Sequence, residues 1–416
     1  MSTRAHESIE RTRLLALLHE VVEQLAPIDR APCSRGEREA AIWLADRLRA
    51  VDGVEVALED EPSWGTFPPT AAGLGMLGLA GAALVLRGRS ALGASVAALA
   101  YAGIVDEAQN GPRIVRRLLR RRRTTVNVVA RTGAAVGDEQ RMDTLVVLAH
   151  HDAPQTGLMF DQTLQRRLYE LRPELLETAK TSPPQWWIGL AGPLASLAAA
   201  TGGRRRKLAR AGVAVGALGV AMVLDVWRSE TVPGANDNLS GVASLLGLAE
   251  LLREHPLPGL RVLLVSCGAE ETLQDGVRAF IAHHRSELDP ARTCFVNLDT
   301  VGSPHLIMLE GEGPVWMEEY RAPWLRDRLA GLAETIGVPL ERGFHARAST
   351  DSVIPSRAGY AIATLVSITD WRSPANYHLP TDTPENLDYE TVADATLLVY
   401  ELARALHESP QLTAVA

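Results

Sequence analysis

Cysteine is scarce. Only Cys33, Cys267 and Cys294 occur in 416 residues, widely spaced and odd in number. That argues against a disulfide framework, and the absence of a CxxC pair leaves no thiolate metal site. Aromatic residues make up only 5% of the chain, and positive charge is not in excess: the formal net charge is −8. A nucleic-acid-binding protein would carry the opposite balance, although the basic residues here are clumped. The N-terminal stretch MSTRAHESIERTRLLALLHEVVEQL mixes acids and bases throughout and lacks the uninterrupted apolar core of a signal peptide. These features point to a reducing compartment.

What is present is a globular composition, 46% hydrophobic and 22% charged, in a chain long enough for more than one domain. Two helices are expected first, over Ile9–Leu25 and Arg35–Val51, the second capped by Ser34. Val54–Leu58 alternates like a strand, and Thr125–Ala130 and Thr144–Ala149 read as further strands. Beyond Pro233 the pattern is regular. Helices over Leu239–Arg253, Val277–His284, Trp324–Ile336 and Glu390–His407 alternate with strands at Arg261–Cys267, Cys294–Leu298 and Ala361–Val366. The expected fold is α/β, a three-layer αβα arrangement around a mixed, mostly parallel sheet.

Candidate chemistry is strung along the chain in order: His150-His151-Asp152, Asp237, Glu270-Glu271, Asp299 and His378. Extended geometry past Ala149 would turn His150 and Asp152 to one face and His151 to the other. Taken alone, the tripeptide is as readily a surface turn, Asp237 a helix cap, and His378 an inert loop residue. The grouping decides otherwise. The His/Asp, Glu/Glu and Asp elements all end predicted strands, where open α/β sheets bind ligands, and the remaining two lie on adjoining loops. Imidazole and carboxylate donors without thiolates suit zinc, or more loosely manganese or cobalt.

The stretches AHHDA, PGANDNLSG, GAEETLQDGVRAF, NLDTVG and YHLPTDTPENLD, in this order, resemble the M28 family of zinc-dependent aminopeptidases and carboxypeptidases, which includes the glutaminyl cyclases. The resemblance covers most of Thr125–Asp152 and Thr231–His407. It implies a zinc-exopeptidase-like fold and two divalent metal ions, Zn2+ by preference. His150 and Asp299 would bind one ion, Glu271 and His378 the other, and Asp237 would bridge them. Glu270 would be the general base, Asp152 the partner behind His150, and the Asp237–Asn238 peptide cis. The implied activity is a di-zinc aminopeptidase hydrolysing N-terminal peptide bonds of peptide or aminoacyl substrates through a water shared by the metals. A glutaminyl cyclase-like acyltransferase and a catalytically inactive membrane-associated scaffold of the same fold are the alternatives. His345–Ser352, where relatives often carry a substrate-side Ser-Asp, is only loosely similar. Asp351 is there either a pocket residue or, by the blander reading, an exposed loop acid.

Two apolar hairpins interrupt the pattern. Ala71–Leu86 and Ala91–Val105 flank Arg87-Gly88-Arg89 and lead into the basic run Arg113–Arg123. Trp186–Ala200 and Ala211–Trp227 flank Gly203–Lys207. The expected division is a catalytic domain over 1–63, 124–157 and 229–416, with insertions at 64–123 and 158–228. The apolar segments are slightly short of the ~20 residues that span a bilayer, yet they lack a polar face, and Trp64, Trp186, Trp187 and Trp227 lie at their edges. Membrane association with a cytoplasmic catalytic domain is the expectation; a soluble cap or dimerisation bundle is the alternative.

Overall fold

The computed structural model describes residues 2–132, 142–201 and 205–409, the side chains of 2–9 and 205 aside. The elements in chain order are α1 (Ser2–Leu25), α2 (Arg35–Arg49), β1 (Glu55–Ser63), α3 (Pro68–Leu86), α4 (Ser90–Ala108), α5 (Ile114–Leu119), β2 (Arg123–Thr132) and β3 (Asp143–His150). There follow α6 (Thr163–Leu171), α7 (Trp187–Thr201), α8 (Arg205–Arg228), α9 (Ser240–Glu254), β4 (Leu260–Cys267), α10 (Asp275–His284), β5 (Thr293–Leu298) and β6 (His305–Glu312). The chain closes with β7 (Glu318–Glu319), α11 (Pro323–Ile336), β8 (Glu341–Ala346), α12 (Val353–Arg357), β9 (Ala361–Ile368) and α13 (Tyr389–Glu408).

Continuous β-branched and leucine-rich runs make β3, β4, β5 and β9 buried along their whole length, as a sheet covered on both faces requires. These strands are parallel neighbours in the order β4-β3-β5-β9, and antiparallel strands extend the sheet on either side, giving β1-β2-β4-β3-β5-β9-β6-β7 with β8 beside β6. One face packs against α1, α2, α9, α11 and α13 through a core that includes Leu18, Leu44, Val242, Leu245 and Leu398. The other is closed chiefly by α10 and α12 around Phe280, Phe295 and Tyr360. The expected αβα sandwich and mixed sheet are thus present. Ser34 caps α2 as expected, its Oγ accepting from the Glu37 N–H at 3.0 Å. The sequence reading missed β6, β7 and β8, which complete one edge.

The four apolar helices α3, α4, α7 and α8 pack on one another as a single bundle. Close approach is built from small residues: a Cβ on Gly192 of α7 would lie 2.8 Å from the Cα of Gly216 on α8. Much apolar surface still faces outward, including Met76, Leu92, Leu99, Leu194 and Leu218. Three of the helices, α3, α4 and Arg206–Arg228 within α8, are long and apolar enough to cross a membrane, with mean hydropathies of 1.7, 1.3 and 1.7 over their most apolar windows; α7 is shorter.

The bundle meets the α/β unit at several points, among them the bases of the two hairpins. At the end of the first hairpin, Arg113 and Arg116 are fully buried rather than solvated. Arg113 pairs with Asp275 at the start of α10, and Arg116 pairs with Glu107 and donates to the carbonyl of Thr272. The base of the second hairpin is closed by an antiparallel bridge between Gln155 and Thr231, with the Val232 N–H donating to the Pro154 carbonyl at 2.9 Å.

Candidate metal centre

Parallel strands deliver their C-terminal ends to one edge of the sheet, and the chemistry collects there. His150 is the last residue of β3, Glu270 and Glu271 follow β4, and Asp299 follows β5. Asp237 sits in the turn before α9, and His378 in the loop after β9. All six are buried or nearly so.

Asp237 is the centre of the group. His150 Nε2 lies 3.3 Å from its Oδ1, and His378 Nε2 lies 3.2 Å from its Oδ2. His378 Nε2 is also 3.7 Å from Glu271 Oε1. Donor atoms of His150, Asp237 and Glu271 all fall within 4.8 Å of one another. Asp299 and Glu270 line the same cavity around this tight group. The Asp237–Asn238 peptide is cis.

A shell of hydrogen bonds holds these residues in place. Asp152 is wholly buried, and its Oδ1 is 3.4 Å from His150 Nδ1. The same carboxylate accepts the backbone N–H groups of Glu270 and Glu271, each at 3.0 Å. His151 points away, its Nδ1 2.9 Å from Ser266 Oγ, as strand alternation required. Gln274 donates to Glu270 Oε1 at 2.5 Å.

The sequence reading gave no role to three of the supporting groups. Asp382 accepts the N–H groups of Asn236 and Asp237 at 2.7 and 3.1 Å; its only signal was its place in the His378 loop. Arg30 is fully buried and donates to the carbonyls of His151, Pro233 and Gly234, tying together the two turns that carry His150 and Asp237. Glu37 accepts from the Ala269 N–H at 2.8 Å under the turn that starts the Glu270-Glu271 segment. Gly268 is required there, because a Cβ would lie 2.4 Å from Thr125 Oγ1. Nothing in the sequence separates Arg30 or Glu37 from ordinary polar residues. One expectation is corrected: Asp351 is not an exposed loop acid but is only 1% exposed, because the loop after β8 folds inward beneath Glu312, whose carboxylate accepts the Thr350 N–H at 2.7 Å.

The electrostatics ask for cations. Burial pushes Glu270 and Glu271 well above the usual carboxylate range, Asp299 to about 6 and Asp351 to about 8. Asp237 is held low despite burial by its hydrogen bonds to His150 and His378. Those hydrogen bonds do not satisfy everything: neither carboxylate oxygen of Asp351 meets a donor in good geometry, and His378 Nδ1 is likewise unpartnered. Clustered buried carboxylates are stable when paired or coordinating metal. The donor set of imidazole and carboxylate therefore fits divalent zinc.

The cavity holding these groups has about 1270 Å³ of open space, its mouth included. Apolar residues Ile307, Leu309, Phe344, Val366 and Ile368 line part of it. Met159, Phe160, Gln162, Thr181 and Gln185, from the segment between β3 and the bundle, form another part of the lining. The Phe160 ring stands 4.1 Å from the His378 ring.

This fold, with imidazole and carboxylate side chains gathered at the C-terminal edge of its parallel strands, is similar to that of the zinc exopeptidases. Residues 215–403 match the family model for peptidase family M28. An aminopeptidase from Aneurinibacillus sp. strain AM-1 superposes with a TM-score of 0.53 at 14% identity, over 94% of this chain and 93% of the other. A Zn-dependent exopeptidase from Parabacteroides distasonis gives 0.52 at 13% identity, over 94% and 97%. A glutaminyl cyclase from Bacteroides thetaiotaomicron gives 0.51 at 14%, over 93% and 96%. No curated protein matches the sequence.

Proposed function

We propose that the chain is a di-zinc aminopeptidase, in which His150 and Asp299 hold one ion, Glu271 and His378 the other, and Asp237 both. The observation that carries this reading is the pair of imidazoles, one on each oxygen of the Asp237 carboxylate. A carboxylate flanked in this way is placed to serve two ions. When bound, the zinc ions supply Lewis acidity and make water acidic enough to lose a proton near neutral pH. Glu270 would accept a proton from the attacking water and return it to the leaving amine. Gln274 fixes one oxygen of Glu270, so that the other is free to carry the proton. Asp152 orients His150 through Nδ1 and, through the backbone, sets the positions of Glu270 and Glu271. The cavity accepts a peptide or aminoacyl substrate, with the apolar wall beneath its side chain.

The likeness to a glutaminyl cyclase is one of fold. A complete set of donors for two ions favours hydrolysis over that reading and over an inactive scaffold. We further propose that the segments 64–123 and 158–228 are insertions in a catalytic domain and that their bundle associates with a membrane. Zinc content of the purified full-length chain, together with turnover of aminoacyl chromogenic substrates before and after chelation, tests the activity. Hydrolysis lost on chelation and restored by zinc is expected. Chelator-resistant turnover would exclude the metal's role, and absence of both zinc and turnover would leave the scaffold.

A further inference from the structure

We propose that Glu59, His283 and His284 form a second binding site for a divalent transition metal ion, zinc foremost, separate from the site around Asp237. Glu59 and Glu61 are two residues apart on β1 and so share a face, and that face meets the last turn of α10. Donor atoms of Glu59, His283 and His284 lie within 4.8 Å of one another. His284 Nε2 is 2.9 Å from Glu59 Oε1. The two imidazoles stack with centroids 4.8 Å apart and planes at 14°.

Each ring is also oriented from behind. His283 Nδ1 lies 3.1 Å from Glu61 Oε1, and His284 Nδ1 lies 3.5 Å from Glu287 Oε2. A carboxylate on the far nitrogen of a histidine fixes the tautomer that offers the near nitrogen to a metal. His284 has carboxylates at both nitrogens, whereas a neutral imidazole has only one N–H to give. Despite partial burial, those carboxylates favour the protonated ring, which can donate to both. A cation on the Nε2 lone pair would take that proton's place and leave the ring neutral. A two-histidine, one-carboxylate set leaves a coordination position for water, as zinc accepts. The side chains of Glu59 and His284 are 12% and 9% exposed while that of His283 is 57% exposed, which gives an ion a preformed inner wall and an open entrance.

The full-length protein, stripped with chelator and dialysed, is titrated with zinc chloride by calorimetry, with bound zinc counted by elemental analysis. The parent should bind one equivalent more than Glu59→Gln or His283→Ala, or bind that equivalent at least tenfold more tightly. Neither variant touches the site around Asp237, so aminoacyl hydrolysis serves as the control for folding and should be unchanged. His283 is exposed, which makes its alanine variant safe for the fold. Equal stoichiometry and affinity in the parent and His283→Ala would overturn the proposal.

Discussion

The carboxylate of Asp152, at the end of β3, accepts the backbone N–H of Glu270, beyond β4, at 3.0 Å. Its second oxygen does the same for Glu271. One buried side chain thus registers two neighbouring strand ends while facing His150. Asp152→Asn keeps the volume but replaces one acceptor by an amide donor facing an N–H. Zinc affinity and kcat/KM should each fall about 10–100-fold, with the circular dichroism spectrum preserved. A variant as active as the parent would remove Asp152 from the support of the site.

Glu270→Gln separates metal holding from proton transfer. The amide remains within reach of Gln274 but cannot take a proton. Bound zinc should be retained while kcat drops by about 10²–10⁴-fold. Retained turnover would sink the general-base assignment.

The ion pair of Arg113 with Asp275 is buried on both sides. Asp275 also accepts from Ser63 Oγ at 2.7 Å. Arg113→Ala leaves that carboxylate without its cation in a dry site, a loss of about 3–5 kcal/mol, readable by urea unfolding. A change below about 1 kcal/mol would mean that the pair contributes little.

Glu312 gives a pH dependence with a defined sign. Burial raises its pKa from 4.5 to about 8. Between those values the folded chain keeps a proton that the unfolded chain releases, so the group's contribution to stability declines as pH rises through the interval. Glu312→Gln stays neutral throughout. Its melting temperature should gain on that of the parent from about pH 5 to about pH 8 and then run parallel, the final gap corresponding to about 1 kcal/mol or more. A gap that is flat across this range would contradict the assignment.

Alkaline carbonate extraction addresses the bundle. The three span-length helices and their outward Leu99, Leu194 and Leu218 lead us to expect the protein in the membrane pellet. Release into the supernatant would rule out integral insertion and favour a soluble cap.

The strand ends carrying His150, Glu270, Glu271 and Asp299 were legible because buried parallel strands are apolar along their length, so the first polar residue after each run marks the sheet's edge. Asp237 and His378 needed the motif resemblance, since a turn acid and a loop histidine have no pattern of their own. Arg30, Glu37 and Asp382 act on backbone groups brought together only by the tertiary fold, which local periodicity does not encode. The strand at His305–Glu312 was missed for a related reason. It lies antiparallel to β9 in a stretch where a helix–strand alternation predicts neither, and its partners β7 and β8 are short or bulged. The basic run Arg113–Arg123 read as one charged stripe, yet Arg113 and Arg116 are the pegs that seat it on the α/β unit.

The two hairpins are joined to their host by different kinds of fastening. The first is bolted: Arg113 and Arg116 grip Asp275 and Thr272, a few residues from Glu270. The second leaves the sheet through a stitched collar, where Gln155 and Thr231 meet before the excursion begins. Beyond that stitch α8 still reaches the site, because Asp225 accepts the Leu158 N–H at 2.7 Å and Phe160, two residues on, stands against His378. Tilting of α3 and α4 has no such collar. A load on the bundle would therefore reach the site by two routes, along the first hairpin to the loop that carries Glu270 and from α8 through Leu158 and Phe160 to His378.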